Sequence, residues 1–66
     1  MQLSHHALEQ IESRNIEEGQ VAYAMKYGVT WRCPHDNDIT YCRHDDVFVV
    51  THRGDWVITA YHLENK

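Results

Sequence analysis

From Val29 onward the apolar residues of this chain alternate, whereas before Val29 they recur every three or four positions. A chain that changes its hydrophobic period from helical to extended must build its helices first and its sheet second. In the helical half, Ser4 is suited to cap a first helix, because its hydroxyl can accept a bond from a free backbone N–H of the first turn. Ala7, Leu8 and Ile11 mark the apolar stripe of that helix. Arg14 suits its negative pole, and Asn15 can end it in a left-handed conformation. A second helix is predicted over Glu17 to Tyr27, with Val21, Ala24 and Met25 on one stripe. Gly28 is expected to close it with a positive φ, and Ile16 to sit as an apolar anchor under the turn between the helices.

In the alternating half, Val29–Cys33, Ile39–Arg43, Val47–Thr51 and Trp56–His62 read as strands. Asp36-Asn37-Asp38 and Arg53-Gly54 read as turns. Connections this short favour antiparallel neighbours. The predicted class is α+β: one domain over residues 1–66, its two N-terminal helices packed on one face of an antiparallel three- to four-stranded meander, with no parallel pair. Leu8, Ile11, Val21, Met25 and Ile58 are the expected core. A two-residue loop at Arg53-Gly54 would set Val49 opposite Ile58, Val47 opposite Ala60 and Thr51 opposite Trp56. The reverse face would then carry Phe48, Val50, His52, Val57, Thr59 and Tyr61. Both faces are apolar, and two short helices can cover only one, so the second is a candidate cleft or dimer interface.

Size makes that second face matter. A chain of 66 residues buries only about 60% of the surface its unfolded form exposes, so partners or cross-links often supplement such a core. With 6 basic and 10 acidic residues, the formal charge is −4. That disfavours a protein held to nucleic acid mainly by bulk charge. No apolar run approaches the roughly 18–20 residues of a membrane span, and the N-terminal segment does not read as a secretion signal. A cytoplasmic location, with no membrane association, is the expectation.

Six histidines and two cysteines are the candidates for chemistry. Cys33-Pro34-His35 and Cys42-Arg43-His44 form two C-x-H units. A turn at Asn37-Asp38 would set Cys33 opposite Cys42, His35 opposite Thr40 and His44 opposite Trp31, with both thiols and both imidazoles on one face. Two sulfurs and two nitrogens could hold tetrahedral zinc, although C-x-H on a strand separates its ligands by about 6–7 Å. The alternatives are a zinc- or redox-responsive module, or a plain hairpin with two reduced thiols and no cofactor. The latter is the expectation for a reducing compartment. Arg32, Arg43 and Arg53 lie on or beside strands, and guanidinium groups converging with a histidine would make an anion site. The acidic pairs Asp36/Asp38 and Asp45/Asp46 read as turn residues.

Ser4-x-His6-Ala7, then Arg14-Asn15-Ile16, then Ile58-Thr59-Ala60-Tyr61 resemble a family of small bacterial and phage domains. Their pattern is S-x-H-A-x-x-R-Φ-x-x-R-G-I, followed by a helix, a β-meander and a final Φ-T-Φ-Y strand. That family, a domain of unknown function, is grouped with the barnase–EndoU–colicin–RelE nuclease fold, whose enzymes are metal-independent ribonucleases, many of them toxins. The resemblance implies His6, Arg14, Thr59 and Tyr61 as catalytic residues. His6 would be general base or acid, Arg14 with Arg32 or Arg43 would hold the phosphate, and Thr59 and Tyr61 would bond to or stack on a base. His52, on the open face, is a further candidate for substrate contact. Two positions depart from the pattern: Gln10 stands where it has its first arginine, and Asn15 where it has glycine. The lost arginine and the acidic balance favour a non-catalytic or weakly active binding module over a toxin-type ribonuclease. A homodimer through the open sheet face, a protein partner or RNA are its candidate associates.

Overall fold

The computed structural model describes residues 1–63. The elements run β1 (Gln2–Leu3), α1 (His5–Ser13), α2 (Glu18–Tyr27), β2 (Val29–Cys33), β3 (Asp36–His44), β4 (Val47–His52) and β5 (Trp56–His62). They build an α+β domain in which both helices lie on one face of a five-stranded sheet ordered β1-β5-β4-β3-β2.

The helices form for the reasons the sequence offers. Ser4 caps α1, its Oγ accepting from the Ala7 N–H at 2.9 Å. Ala7 and Ile11, one turn apart, are buried. Asn15 reverses the chain with φ 58°, and Ile16 is buried beneath the turn. At the start of α2 the Gln20 side chain accepts from the Glu17 N–H at 2.8 Å. Val21 and Ala24 turn inward and meet Cys42, Val47, Val49, Val57 and Ala60 in a single core, with Leu3 and Met25 packed partly against it. Two residues of the expected core, Leu8 and Ile58, are not in it: Leu8 is exposed and Ile58 half-buried.

Gly28 does not take the expected positive φ. Its backbone is extended (φ −78°, ψ 177°). Glycine is required there by crowding, since a Cβ would overlap the carbonyl of Arg43.

Two features of the sheet depart from an antiparallel meander of three or four strands. The first is β1, which pairs in parallel with β5, Gln2 opposite Trp56 and Leu3 opposite Val57. The Gln2 and Ser4 N–H groups reach the Asp55 and Val57 carbonyls at 3.0 Å each. Two residues are too few to show a period, so the sequence gives no sign of this strand. The second is register. The first hairpin turns at Pro34-His35, with Cys33 opposite Asp36, because proline pre-sets the φ of the second turn position. Asp36, Asn37 and Asp38 therefore lie inside β3. Thr30, not Cys33, stands opposite Cys42, and Trp31 stands opposite Tyr41 rather than His44. Thr40 faces Arg32, not His35.

The last hairpin uses a three-residue loop, with Arg53 and Gly54 both at positive φ. His52 thus faces Trp56, and Val49 faces Ala60 rather than Ile58. An irregularity leaves Ile58 unpaired between Val57 and Thr59. This bulge turns Val57 inward beside Thr51, onto the helix-covered face instead of the open one. Among the described residues, no helix is long and apolar enough to cross a membrane.

Candidate functional site

Among the described residues, no element covers the face of the sheet away from the helices. Cross-strand pairing arranges it in rows. The first row is Val29, Arg43, Phe48 and Tyr61, and the second is Trp31, Tyr41, Val50 and Thr59. The third is Ile39, His52 and Trp56. Rings connect the first two rows into one stripe across β2, β3, β4 and β5. Trp31 lies 5.7 Å from Tyr41 and 5.8 Å from Phe48. Tyr41 and Phe48 stack at 5.5 Å with planes 18° apart, and Phe48 meets Tyr61 edge-on at 5.2 Å. These separations are those of favourable aromatic pairs. Even so, Trp31 and Trp56 remain 43% and 45% exposed, a large aromatic surface offered to solvent by so small a domain.

Guanidinium groups flank the stripe. Arg43 sits beside Phe48, with its Nε donating to the Asp45 carbonyl at 3.0 Å. Arg14 lies at the other side, its guanidinium carbon 5.8 Å from the centre of the Tyr61 ring. Its Nη1 donates to the Ala60 carbonyl at 3.0 Å. Beyond β1, the outer edge of β5 is thus occupied by side chains: Ser4 Oγ donates to the Ile58 carbonyl at 3.2 Å, and Arg14 takes Ala60. Blocking an edge in this way denies it to another chain's strand.

Of the four residues taken from the resemblance, Arg14 and Tyr61 are in contact. Thr59 lies one row from Tyr61 on the same face. His6 is exposed in the first turn of α1, about 12 Å along the helix axis from Arg14, and makes no hydrogen bond or ion pair among the described residues. Gln10, between them, is half-buried.

Arg32 alternates with Trp31 and points to the opposite face. His52 is on the open face, its Nε2 4.0 Å from Asp38 Oδ2, which also lies 3.8 Å from Arg53 Nε. At the far end of the sheet, His62 Nε2 bonds to the Arg14 carbonyl at 3.2 Å. Asp46 Oδ2 stands 3.3 Å from its Nδ1, off the direction of a hydrogen bond, so that buried nitrogen has no hydrogen-bond partner.

The two C-x-H units do not converge. Both thiols are free. Cys42 is buried on the helix side, where Thr30 Oγ1 donates to its sulfur at 3.8 Å. Cys33 belongs to the open face beside Tyr41, and His35 is exposed in the turn. Among the described residues, no group of three or more His, Cys, Asp or Glu is placed to hold a metal ion.

The Tyr41 hydroxyl bonds to Cys33 and holds its thiol below the usual range, aided by the backbone at His35. The same bond raises Tyr41. A lowered thiol pKa means more thiolate at a given pH, and thiolate is the reactive form. Iodoacetamide at pH 7.5 is expected to label Cys33 before Cys42. Tyr41→Phe is expected to slow that labelling and move its pH–rate midpoint upward. An unchanged midpoint in Tyr41→Phe would show that the hydroxyl does not stabilise the thiolate.

The sequence shows part of the open face, through Phe48, Val50, His52, Thr59 and Tyr61. It does not show Trp31, Tyr41 and Trp56 as members, because membership depends on the turn at Pro34 and the loop at Arg53. Comparison with protein-family models, with curated proteins and with solved structures finds no match for this chain.

Proposed function

We propose that this chain is a binding module that lays single-stranded nucleic acid across the open face of its sheet and does not cleave it efficiently. The observation that carries this reading is the aromatic stripe Trp31–Tyr41–Phe48–Tyr61, bounded by Arg43 and Arg14, with no acidic residue in any of the three rows. Unpaired bases stack on exposed rings, and guanidinium groups meet the phosphates between them. The protein is acidic overall, but among the described residues the carboxylates lie off these rows: Asp36 and Asp38 at the turn end, and Asp45 beyond Arg43 at the other. Local charge and stacking therefore replace the bulk attraction that a charge of −4 denies.

The ribonuclease reading would need His6 and a phosphate-holding arginine on one substrate. Arg14 instead spends a donor on the Ala60 carbonyl, and Gln10 supplies no charge. That arrangement favours holding over cutting. A homodimer would use the same apolar face.

The test follows tryptophan fluorescence, since Trp31 and Trp56 both lie on this face, during titration with a ten-nucleotide oligouridine. Saturable quenching is expected with the single strand and little with an RNA duplex. Loss of one stacking ring should cost about 1–3 kcal/mol, or roughly 5- to 150-fold in affinity. Trp31→Ala, on an edge strand and half exposed, should show this without unfolding. Metal-free incubation with the same RNA is expected to leave it intact for wild type, His6→Ala and Gln10→Arg. Robust wild-type cleavage lost in His6→Ala would establish the ribonuclease instead. No quenching, together with a concentration-dependent mass in sedimentation, would give the face to a second copy.

A further inference from the structure

A second surface lies off the open face, where the start of α2 meets the β3–β4 turn. It is a groove of about 360 Å³, within the range of sites that accept a side chain or small ligand. One wall is aromatic. Tyr23 lies 4.8 Å from Tyr27, one helical turn on, and 4.6 Å edge-on from His44. Tyr23 and Tyr27 are 49% and 61% exposed, so their ring faces are not consumed by the core. The other walls bring three carboxylates, Glu17 of the α2 cap and Asp45 and Asp46 of the turn, and among the described residues no lysine or arginine lines the groove. Among the described residues, the Asp45 carboxylate has His44 beside it, at 3.8 Å, with the Arg43 Nε on the Asp45 backbone carbonyl, and the Asp46 carboxylate has His62, at 3.3 Å. The N-terminus of α2 adds about half a positive charge, which Glu17 and Glu18 offset.

Aromatic rings with carboxylates beside them select a cation. Ring faces attract ammonium and guanidinium groups through their quadrupole, and the carboxylates complete the hydrogen bonds of the head group. The neighbouring ring outside the groove already takes a cation, since Lys26 Nζ sits 5.4 Å from the centre of the Tyr27 ring. We propose that this groove docks a basic segment of a partner protein, with an arginine or lysine side chain laid along Tyr23 and its head group between Asp45, Asp46 and Glu17. The open sheet face, with its arginines, would repel such a segment. The two surfaces therefore accept ligands of opposite charge, and this proposal does not depend on the nucleic-acid reading.

The experiment is fluorescence anisotropy of a fluorescein-labelled peptide of alternating glycine and arginine, titrated with the full chain at 150 mM salt. A matched peptide of alternating glycine and glutamate serves as control. The variants are Tyr23→Ala, Tyr23→Phe, Asp45→Asn and Glu12→Gln. Glu12 is exposed on α1 and does not line the groove, so Glu12→Gln changes the net charge as Asp45→Asn does. Saturable binding of the arginine peptide alone is expected. Tyr23→Ala and Asp45→Asn should each weaken it by about threefold or more, whereas Tyr23→Phe, which keeps the ring, and Glu12→Gln should change it less than about twofold. Thermal melts of Tyr23→Ala will show that the half-exposed ring is not needed for folding. No binding, equal weakening by Glu12→Gln and Asp45→Asn, or undiminished binding by a folded Tyr23→Ala would each overturn the proposal.

Discussion

Gly28→Ala is expected to remove a large part of the domain's stability, about 1–3 kcal/mol or more. The added Cβ would overlap the Arg43 carbonyl oxygen and stand 2.5 Å from that of Ala24. Both are backbone atoms, so neither can rotate away as a side chain would. The Ala24 oxygen also accepts the Gly28 N–H at 2.9 Å, the bond that closes α2. Relief requires α2 to part from β3 at the point where the chain turns from one into β2. Forced overpacking costs about 1–3 kcal/mol, and more when backbone must move. A domain of this size has roughly 3–10 kcal/mol in total. Gly19→Ala is the matched control: its Cβ would meet nothing within 4 Å, and it lies inside α2. It should stabilise by about 0.4–1 kcal/mol through helix propensity and the entropy of the unfolded chain. Urea denaturation followed by far-ultraviolet circular dichroism will report both. Midpoints that move together would show that α2 and β3 can separate without cost.

Gly28 also illustrates what a sequence can and cannot reveal. Its role as the residue ending α2 is local and legible. The reason for glycine is a carbonyl fifteen positions away, which no local pattern encodes. The same division holds elsewhere. Ser4, Asn15 and Ile16 act through near neighbours, and the helices follow from them. The order of β2 to β5 is likewise legible, because short connections leave few alternatives. Register is not, since it turns on whether Pro34 or Asn37 reverses the chain, and on a third residue in the loop at Arg53. A slip in either exchanges partners across the whole hairpin. That is why Cys33 and Cys42 lie on opposite faces, and why Trp31 and Tyr41 join the open face unannounced. Arg14 is the clearest case at the candidate site. Its sequence position suits a helix end, yet its guanidinium partners are the Ala60 carbonyl and the Tyr61 ring, both brought by the last strand. A phosphate-binding role and an edge-blocking role look identical until β5 is in place.

Ile11→Ala should be far more damaging than Leu8→Ala, although the two residues share one apolar stripe of α1. Ile11 is 2% exposed and among the largest fully enclosed side chains, whereas Leu8 is 36% exposed. The helix is rolled so that Ala7 and Ile11, not Leu8, face the sheet. Truncating Ile11 removes its transfer free energy and leaves a cavity walled by helix and strand, at a cost of about 2–5 kcal/mol. Truncating Leu8 removes groups that already touch water. Solvent fills the space, no cavity term arises, and about 1–1.5 kcal/mol is lost at the usual value per methylene. Against a total of roughly 3–10 kcal/mol, the first change brings the domain near its folding threshold and the second does not. Urea midpoints of the two variants, compared at equal protein concentration, will separate them. Equal losses would mean that α1 sits on the sheet with a different roll, with Leu8 and Ile11 sharing the contact.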